Sequence, residues 1–565
     1  MTTRRRFLQG LATVAACDPS RDAEPGFSEP LEGGERSGLY QDSRPDILFI
    51  SIDDLNDWPT PFEGPKPTID PQAVSTPNMD LLAQMGTVFQ RAYCAAPMCG
   101  PSRSATLTGL PPHVSGVTQQ ENIMVPKAKF GPLLQAPTTT LPRLLNEAGY
   151  RTYGAGKVFH GGFGGSDRPF ADCEAVPEDA SYDSCAWDHY EFLNKFVPEG
   201  ACLPDPGNDD ISDSSRPCSE PFDPSTSMLP DARVARYGIE RLETESTDEP
   251  MFLALGFFKP HKEWEAPQEF YDLYGDDVLA PLDSAVEKAD QDDLTFTGCI
   301  TIRDSRNSPP DSTWDTATRT AIRGYLACVS YVDALLGAVV DAAIARPRRT
   351  IIVVWSDHGY FMGEKRGWKK PSLYERATRV PLFIVDTDNP VPQSTYGMAS
   401  LMDLFPTVLD YASVADPLQY GVSLRPLVED AAGPWYQTSV VSTFNFQTDH
   451  QRRADLTFND DVTRCMSEQQ VSACGPYIRA CGSYPSRLAG ASFALRTERP
   501  GERFRYISYF PAPGFEPPAG SLTTEELYDL EADPNERTNL IEAGLTPELA
   551  STLGKLQKEL ADKLS

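Results

Sequence analysis

The amino-acid sequence predicts an α/β protein: a doubly wound, mostly parallel sheet flanked by helices, with a smaller C-terminal α+β domain built on an antiparallel sheet. Nearly continuous apolar segments of strand length, such as residues 46–52 and 251–258, are typical of strands buried on both faces of a sheet. Helical segments lie between them, which indicates the crossovers of a parallel sheet. After about residue 435, segments 493–497 and 504–510 alternate between apolar and polar residues, as antiparallel strands do.

The helices expected between these strands carry recognisable start signals. Thr76 followed by Pro77 predicts a helix N-terminus with Thr76 as its cap, and residues 229–231 predict the cap of another helix. A long amphipathic helix is expected over residues 315–345. These helices are the layers that a doubly wound sheet needs on its two faces.

Length, composition and charge bound the class of protein. The 565 residues are enough for a large domain over residues 45–435 and a smaller one over 436–565. Hydrophobic residues make up 40% and charged residues 23%, as in soluble globular proteins. The formal net charge is −31, from 81 acidic and 50 basic residues. We therefore expect no nucleic-acid partner, since such partners require a basic surface.

Residues 1–17 are predicted to be an export signal. Residues 3–9, with three consecutive arginines, resemble a twin-arginine signal, and the apolar run that follows is too short to span a bilayer. Residues 14–17 resemble a bacterial lipobox, in which Cys17 becomes the lipidated N-terminus; the alternative is a plain signal peptide cut nearby. Residues 18–44 then form a flexible tether. We expect export to the periplasm or cell surface, with a lipid anchor in the membrane.

The twelve cysteines favour an oxidising compartment. Leaving aside Cys17 and Cys99, ten remain, enough for five disulfides whose pairing the sequence does not decide. Part of them lie in an acidic, loop-rich insertion at residues 161–228. Proximity favours the pairs Cys173–Cys185 and Cys202–Cys218, and one bridge among Cys465, Cys474 and Cys481.

Chemistry-bearing residues follow the ends of four predicted strands. Because the carboxyl ends of parallel strands meet at one edge of a sheet, we expect these residues to share that edge. Two adjacent carboxylates there are unfavourable unless a cation neutralises them. A single Asp-Asp turn or surface lysine would need no such explanation, but the pattern occurs four times and includes three of the six histidines. The residues are Asp53 and Asp54, Lys157 and His160, His261, and Asp357 and His358.

A reactive segment surrounds Cys99. Gly100-Pro101 breaks the backbone after the cysteine, and Ser102 is expected to cap a helix that starts near Ser104. Cys99 is then expected on the loop before a helix N-terminus, where the helix dipole favours negative charge. Arg103 adds a fixed positive charge. The segment therefore predicts an anion site with a reactive side chain, with a buried structural cysteine as the alternative.

A local basic run, residues 365–370, contrasts with the acidic chain. It contains Lys365, Arg366, Lys369 and Lys370. In a protein of charge −31, this excess predicts an anion pocket rather than a solvated surface.

Residues 99–103 and 108–109 resemble the signature C-x-P-S-R…T-G of the type I sulfatases. Further segments also look like sulfatase motifs, and the set is most similar to the iduronate-2-sulfatase branch and its bacterial relatives, over roughly residues 44–545. Where those relatives carry a histidine and a further acid, this chain has Lys365, Arg366 and Gly367. The further motifs are residues 53–56, 156–160, 259–261, 357–359 with 363–364, and 527–530 with 533–534.

The resemblance implies an alkaline-phosphatase-like fold and a sulfuric ester hydrolase. A separate formylglycine-generating enzyme would oxidise Cys99 to formylglycine (3-oxoalanine), whose hydrate attacks sulfur. The converted residue would help to hold one divalent ion, calcium with magnesium as the alternative, although histidine is an unusual calcium ligand. The implied metal ligands are Asp53, Asp54, Asp357 and His358 besides residue 99. The implied catalytic and substrate-binding residues are Arg103 for the hydrated aldehyde, Lys157 and Lys370 for the sulfate oxygens, and His160 and His261 for proton transfer, with His261 protonating the leaving alcohol.

The expected substrate is a sulfated polysaccharide or oligosaccharide, because export and a surface tether suit the degradation of a polymer. One alternative is a phosphate or phosphonate ester hydrolase of the same superfamily, since a phosphoryl group has a similar shape. The other is a non-catalytic carbohydrate-binding lipoprotein in which Cys99 is never converted.

Overall fold

The computed structural model describes residues 43–63, 74–118, 140–160, 186–191, 193, 202, 215–219, 222–275, 314–445, 491–509 and 525–564. Within these ranges the chain forms strands β1–β18 and helices α1–α12. The strands are β1 Asp46–Asp53, β2 Thr87–Phe89, β3 Ala92–Tyr93, β4 Arg151–Gly156, β5 His189–Glu191, β6 Ser215–Cys218, β7 Met251–Pro260, β8 Trp264–Pro267, β9 Thr350–Ser356, β10 Phe361–Met362, β11 Trp368–Lys369, β12 Leu382–Asp386, β13 Gln393–Thr395, β14 Ala399–Ser400, β15 Ser439–Asn445, β16 Ala491–Thr497, β17 Phe504–Ser508 and β18 Glu525–Asp529.

The helices alternate with the strands in the first three quarters of the chain. They are α1 Pro77–Met85, α2 Cys99–Thr108, α3 Pro112–Ser115, α4 Leu141–Glu147, α5 Pro230–Thr244, α6 Gln268–Tyr271, α7 Trp314–Ala345, α8 Glu375–Thr378, α9 Leu404–Tyr411, α10 Arg425–Glu429, α11 Leu540–Ala543 and α12 Pro547–Leu564. Short 3₁₀ helices occur at Glu364–Arg366 and Leu401–Asp403.

The central sheet has eight strands in the order β13-β2-β12-β9-β1-β7-β4-β5. β1 pairs in parallel with β7 and β9, and β4 pairs in parallel with β7 and β5. β12 runs antiparallel to both of its neighbours. Every residue of β1 and β7 is buried, as the continuous apolar segments predict. The predicted doubly wound, mostly parallel sheet is confirmed, with one antiparallel strand inside it.

Helices cover both faces of this sheet. Leu48 and Ile50 of β1 face the layer that contains α5 and α7, whereas Ile47 and Phe49 face the layer that contains α4 and α9. Helix α7 is long and apolar enough to cross a membrane, but 78% of its most apolar window is buried inside the protein. It is therefore the core helix of one layer.

The capping hydrogen bonds of helix α1 differ from the prediction. The helix begins after Thr76, but the Thr76 side chain makes no capping hydrogen bond. Instead, Asp333 of α7 accepts hydrogen bonds from the backbone N–H groups of Asn78 (3.0 Å) and Met79 (2.8 Å). Thr76 therefore occupies the cap position as predicted but does not supply the capping hydrogen bond, because a buried carboxylate from the neighbouring helix is a stronger acceptor for these amides than a hydroxyl.

The C-terminal part is built on an antiparallel sheet of four strands, β15-β16-β17-β18. Leu556 and Leu560 of α12 pack on one face of it. The other face contributes Ile507 and Tyr528 to a cluster with Tyr374 of the large domain. The predicted smaller α+β domain is therefore present, and it packs against the segment that follows β11.

Some predictions fall outside the described residues. These are the export signal with Cys17, nearly all of the tether at 18–44, most of the insertion at 161–228, and the cysteines 173, 185, 465, 474 and 481. Cys202 and Cys218 form a disulfide. Among the described residues, the free cysteines are Cys94, Cys99 and Cys328, all buried.

Candidate active site

The four strand ends that the sequence singled out meet at one edge of the central sheet. β9, β1, β7 and β4 are consecutive neighbours in the sheet. Their carboxyl ends carry Asp357 and His358, Asp53 and Asp54, His261, and Lys157 respectively. The predicted convergence is confirmed, because parallel neighbours place their C-terminal ends side by side.

The turn after β1 carries Asp53 and Asp54 and has an uncommon backbone conformation. Asp54 has a φ of +64°, a left-handed conformation that is uncommon for residues other than glycine. The Tyr325 hydroxyl of α7 donates to the carbonyl of Asp54 (2.9 Å) and accepts from the N–H of Asn56 (2.8 Å). Asp357 Oδ1 also accepts a hydrogen bond from the Asp54 N–H at 3.2 Å. Helix α7 and the β9 end therefore hold this turn in place.

Cys99 is the first residue of helix α2, not part of a loop before it. Met98 occupies the cap position, and the Ser102 hydroxyl donates to the Asp357 carbonyl at 2.5 Å. The predicted cap at Ser102 is therefore wrong, since Ser102 lies in the first turn and ties the helix to β9. Gly109 ends the helix at a φ of +68°. The dipole argument still applies, because Cys99 lies at the helix N-terminus.

The Cys99 sulfur is surrounded by charged groups from other segments. Sγ lies 3.5 Å from Asp53 Oδ1, 3.2 Å from His358 Nε2 and 3.0 Å from Lys370 Nζ. Cys99 is 1% exposed. A thiol with this many charged neighbours is not a structural cysteine of an apolar core, so the functional interpretation of the segment is favoured.

Two lysines pair with the two carboxylates. Lys157 Nζ donates to Asp53, and Lys370 Nζ lies 2.5 Å from Asp54 Oδ1. Burial would lower the pKa of each lysine, but the facing Asp53 or Asp54 and Cys99 raise it above the ordinary value. Both ammonium groups therefore stay charged at neutral pH.

Arg103 is fully buried behind the charged groups that surround Cys99. Its Nε donates to Asp357 Oδ2 at 2.9 Å, and one terminal nitrogen donates to Ser51 Oγ at 3.0 Å and to the Lys157 carbonyl. These bonds orient Asp357 and fix the backbone that carries Lys157. The other terminal nitrogen lies 3.5 Å from Asp53 Oδ1. Arg103 is thus at the site as predicted, behind the carboxylates.

Burial and charge shift the acids of the site in different directions. Burial opposes ionisation of the Cys99 thiol, but Lys157, Lys370 and His358 hold its pKa well below the ordinary value. Against the same burial, Lys157 keeps the pKa of Asp53 below its usual range. Burial raises the pKa of Asp357 to about 7. Because these groups lie next to one another, the charge of each one shifts the pKa values of its neighbours.

The histidines take different places. The Nδ1–H of His358 donates to the Gly359 carbonyl (3.0 Å), which turns Nε2 toward Cys99 and Asp54. A hydrogen bond from His160 to Cys99 is among the interactions that favour the thiolate. His261 Nε2 lies 4.0 Å from Asp54 Oδ2. Burial lowers the pKa of His261 to about 4, so its imidazole is neutral at pH 7 in this state.

A group of buried donors is arranged as a metal ion would need. Asp53, Asp54, Cys99 and His358 each offer one ligand atom, and these atoms lie within 4.8 Å of one another. Two carboxylates suit a hard divalent cation. Asp357 is outside this group, since its Oδ2 is bound by Arg103 and its Oδ1 by the Asp54 N–H. The donor set therefore fits a divalent cation with three of the four predicted protein ligands and residue 99.

The described lysines of the basic run do not converge on one pocket. Lys370 reaches the site, but the Lys365 ammonium points into the C-terminal part, where it donates to the Glu536 carbonyl at 2.5 Å. Lys369 is half-buried at the end of β11. Of the described lysines of the run, Lys370 is the one at the predicted anion site, because the 3₁₀ turn rotates Lys365 away from it.

Two residues that support the site are not predicted by the sequence. Tyr325 lies within the apolar pattern of α7, and apart from its hydroxyl group nothing in the sequence distinguishes it from a core residue. Residues 229–231 predict a helix cap, but the Asp231 carboxylate accepts hydrogen bonds from the N–H groups of Phe258 (2.6 Å) and Lys259 (3.2 Å). It therefore holds the end of β7, next to His261.

Comparisons with known proteins agree with this geometry. The sulfatase family model matches residues 45–414. A sulfatase from Formosa agariphila is 33% identical over 390 residues, which cover 66% of this chain and 70% of that protein. Iduronate 2-sulfatase from Mus musculus is 28% identical over 427 residues, covering 72% of each.

Solved structures share the fold at lower identity. A phosphonate monoester hydrolase from Silicibacter pomeroyi has a TM-score of 0.65 at 18% identity and covers 92% of this chain and 95% of its own. A protein solved with its substrate D-glucosamine-2-N,6-O-disulfate has a TM-score of 0.58 at 19% identity and covers 92% and 98%. These two likenesses concern the fold, whereas the family model and the Formosa relative define the family. The chain therefore belongs to the sulfatase family, the sulfuric ester hydrolases.

Proposed function

We propose that this protein hydrolyses a sulfate ester of a carbohydrate through a formylglycine made from Cys99, with the help of one divalent cation. The observation that supports this proposal best is the surrounding of Cys99. A carboxylate, an imidazole and an ammonium group lie within 3.5 Å of its sulfur; Asp53 and His358 are buried, and Lys370 is partly buried. A simple thiol needs none of these neighbours, whereas a residue that binds a cation and attacks an anionic ester needs all of them.

Conversion of Cys99 by a formylglycine-generating enzyme would supply a hydrated aldehyde, with one hydroxyl as the nucleophile and a second one that allows sulfate to be expelled. The helix N-terminus favours negative charge at this position. His160 lies next to the residue, where it can accept a proton from a hydroxyl, and the charged Lys370 ammonium group can donate a hydrogen bond to that hydroxyl.

Asp53, Asp54 and His358 would hold the cation together with residue 99. The bound cation, calcium with magnesium as the alternative, would act as a Lewis acid beside the sulfate. The three side chains are positioned for this by Tyr325, by the Gly359 carbonyl and by the ion pair of Asp53 with Lys157. Asp357, the fourth ligand that the resemblance implies, would have to offer the cation its Oδ1, since Arg103 holds its Oδ2.

Lys157 and Lys370 would hold the sulfate oxygens. Both ammonium groups belong to the charged cluster around Cys99, and both remain protonated because Asp53 and Asp54 face them. As compact positive charges, they stabilise the negative charge that builds up on the oxygens as sulfur is attacked.

His261 would protonate the leaving alcohol. In the free site its pKa of about 4 leaves it neutral at pH 7. A bound sulfate ester brings negative charge next to it, which raises the pKa of the imidazole and favours the protonated form. The role therefore depends on substrate binding, and His261→Gln should lower kcat for alkyl sulfates more than for aryl sulfates, whose leaving groups need less protonation.

A sulfated polysaccharide or oligosaccharide is proposed as the substrate, supported by the similarity to the mouse iduronate 2-sulfatase. We also propose export by the twin-arginine route and lipid anchoring at Cys17, which rest on residues 3–17 alone. Fractionation of cells that express wild-type protein and Cys17→Ala tests the anchor, since only the wild type should sediment with membranes.

Mass spectrometry tests the central step. The protein is expressed with and without a formylglycine-generating enzyme and digested with trypsin, and the peptide covering residues 92–103 is measured. Cys94 lies in the same peptide and serves as an internal control. Conversion makes residue 99 lighter and leaves Cys94 unchanged. Turnover of 4-nitrophenyl sulfate should appear only in the converted sample and exceed that of 4-nitrophenyl phosphate; the opposite order would favour a phosphoryl ester hydrolase.

A further inference from the structure

The C-terminal motif, residues 527–530 with Asp533-Pro534, is not part of the charged cluster around Cys99. It lies on β18 and on the turn that follows. That turn leads to Glu536, which is 3% exposed and has a φ of +58°. A buried carboxylate in a left-handed turn is an unusual feature, and its partners show what the turn contacts.

Glu536 binds both sides of the segment that carries Lys370. On the N-terminal side, its carbonyl accepts a hydrogen bond from Lys365 Nζ at 2.5 Å. On the C-terminal side, its carboxylate accepts from the backbone N–H of Glu375 at 2.8 Å. Arg505 of β17 lies 2.7 Å from the same carboxylate and donates to the Leu373 carbonyl at 2.9 Å. The turn therefore holds the chain five residues before and five residues after Lys370, and its partner Arg505 holds the chain three residues after it.

The segment between these anchors does not adopt its shape by local preference. Lys365 and Lys369 have φ values of +50° and +74°, which are unfavourable for side-chain-bearing residues. The Lys365 ammonium lies 5.2 Å from the ring centre of Tyr374 and 5.8 Å from that of Tyr528. Contacts with the C-terminal part must therefore maintain the two left-handed residues that aim Lys370 at Cys99.

We propose that Glu536 is a positioning residue for Lys370, and that the C-terminal motif serves to place it. Lys365 and Arg505 transmit the restraint on the two sides of the lysine. This inference rests on the proposed role of Lys370 in holding the sulfate. It also explains Lys365 in this chain. This lysine binds the C-terminal turn through the Glu536 carbonyl and does not contact the sugar.

A double-mutant cycle tests the coupling. Glu536→Ala, Lys370→Met and the double variant are produced with the converting enzyme, conversion is verified by mass spectrometry, and kcat and KM for 4-nitrophenyl sulfate are measured. We expect Glu536→Ala alone to lower kcat about ten- to hundredfold, since small displacements of a positioned group cost this much. In the Lys370→Met background the same change should cost less than about twofold, because the misplaced group is already gone.

Equal losses of kcat in both backgrounds would overturn the positioning role, because a general weakening of the fold does not depend on Lys370. Full turnover by Lys370→Met alone would instead overturn the proposed function of that lysine. A matched control is Glu559→Gln, which removes another C-terminal ion pair, with Arg499 at 2.6 Å. It should lower thermal stability without changing kcat.

If Glu536→Ala does not fold, Glu536→Gln keeps an acceptor for the Glu375 N–H and removes only the charge that faces Arg505. It should lower kcat several-fold, again only when Lys370 is present. Lys365→Met removes the hydrogen bond to the Glu536 carbonyl on the other side of the segment and should also lower kcat several-fold when Lys370 is present. The apolar part of the side chain is kept next to Tyr374 and Tyr528, so this variant should still fold. Unchanged kcat in both of these variants would contradict the proposal.

Discussion

Two buried cysteines, five residues apart, behave in opposite ways. Cys94 and Cys99 are each 1% exposed. Burial raises the pKa of Cys94, whose sulfur lies 3.8 Å from the Ala377 carbonyl. Cys99 experiences the same burial, but Lys157, Lys370 and His358 more than offset it and lower its pKa. Burial alone makes a thiol inert, and only charges placed by distant segments make it ionise.

The largest expected effect comes from exchanging the two cysteines for serine. Cys99→Ser should lose activity toward 4-nitrophenyl sulfate by about 10³-fold or more, because an unmodified serine has no second hydroxyl. Cys94→Ser, expressed and converted in parallel, should keep its turnover. Substantial activity in Cys99→Ser would contradict the central role of residue 99.

The next largest loss of activity should follow the removal of one of the positive charges that lower the pKa of Cys99 but not that of Cys94. Lys370→Met is expected to lower kcat about 10²- to 10³-fold, as loss of one transition-state donor does. Lys369→Met, one residue earlier and half-buried, is the matched control and should stay near wild-type activity. A larger loss in Lys369→Met than in Lys370→Met would reverse the assignment.

The pKa difference itself can be measured in unconverted protein without added metal. Thiolate absorbance near 240 nm should appear well below the ordinary thiol pKa of about 8.5 and be absent in Cys99→Ser. The linkage has a definite sign. Because the folded pKa is lower than the unfolded one, stability relative to Cys99→Ser should rise with pH between the two values and fall as pH drops through the folded pKa. A Cys99 that titrates near 8.5 would remove the contrast with Cys94.

A smaller effect is expected when the carboxylate turn loses its support. Tyr325→Phe removes the hydrogen bonds to Asp54 and Asn56 and should lower the free energy of unfolding by about 1–2 kcal/mol and kcat by about tenfold. The effect on kcat should shrink at saturating calcium, which would hold the turn in its place. Denaturant unfolding and kinetics at two calcium concentrations give both numbers.

The smallest effect on catalysis should follow Cys94→Ala. It is expected to cost about 1 kcal/mol of stability, since it removes a small buried side chain, while kcat stays unchanged. A loss of kcat comparable to that of Lys370→Met would show that Cys94 also belongs to the reactive site.

Much of the site could be predicted because its residues follow recognisable strands. The apolar segments that end at Asp53, His261 and Asp357 are fully buried, Lys157 follows a shorter strand, and parallel strands bring such ends together. Local detail was less predictable. Thr76 and Ser102 have good capping side chains, but Asp333 accepts the hydrogen bonds of the first amides of α1, and the Ser102 hydroxyl donates to the Asp357 carbonyl; both partners lie about 255 residues away. Local propensity does not show which distant partner wins.

The basic run shows the same limit. The four cations at residues 365–370 are equivalent along the sequence, yet Lys370 meets Cys99 and Lys365 meets Glu536. Positive φ angles at Lys365 and Lys369 turn the chain between them, and the Lys365 ammonium contacts Glu536 and Tyr528 of the C-terminal part.

By itself, the sequence determined the order of buried strands and helices, the reactive segment around Cys99 and the side chains at each strand end, because burial patterns and residue chemistry are properties of consecutive residues. Only the tertiary structure decided which charges surround which thiol, which lysine enters the site and which carboxylate caps which helix. Those outcomes depend on electrostatic contacts between segments hundreds of residues apart, and their distances are set by the packed sheet and its layers.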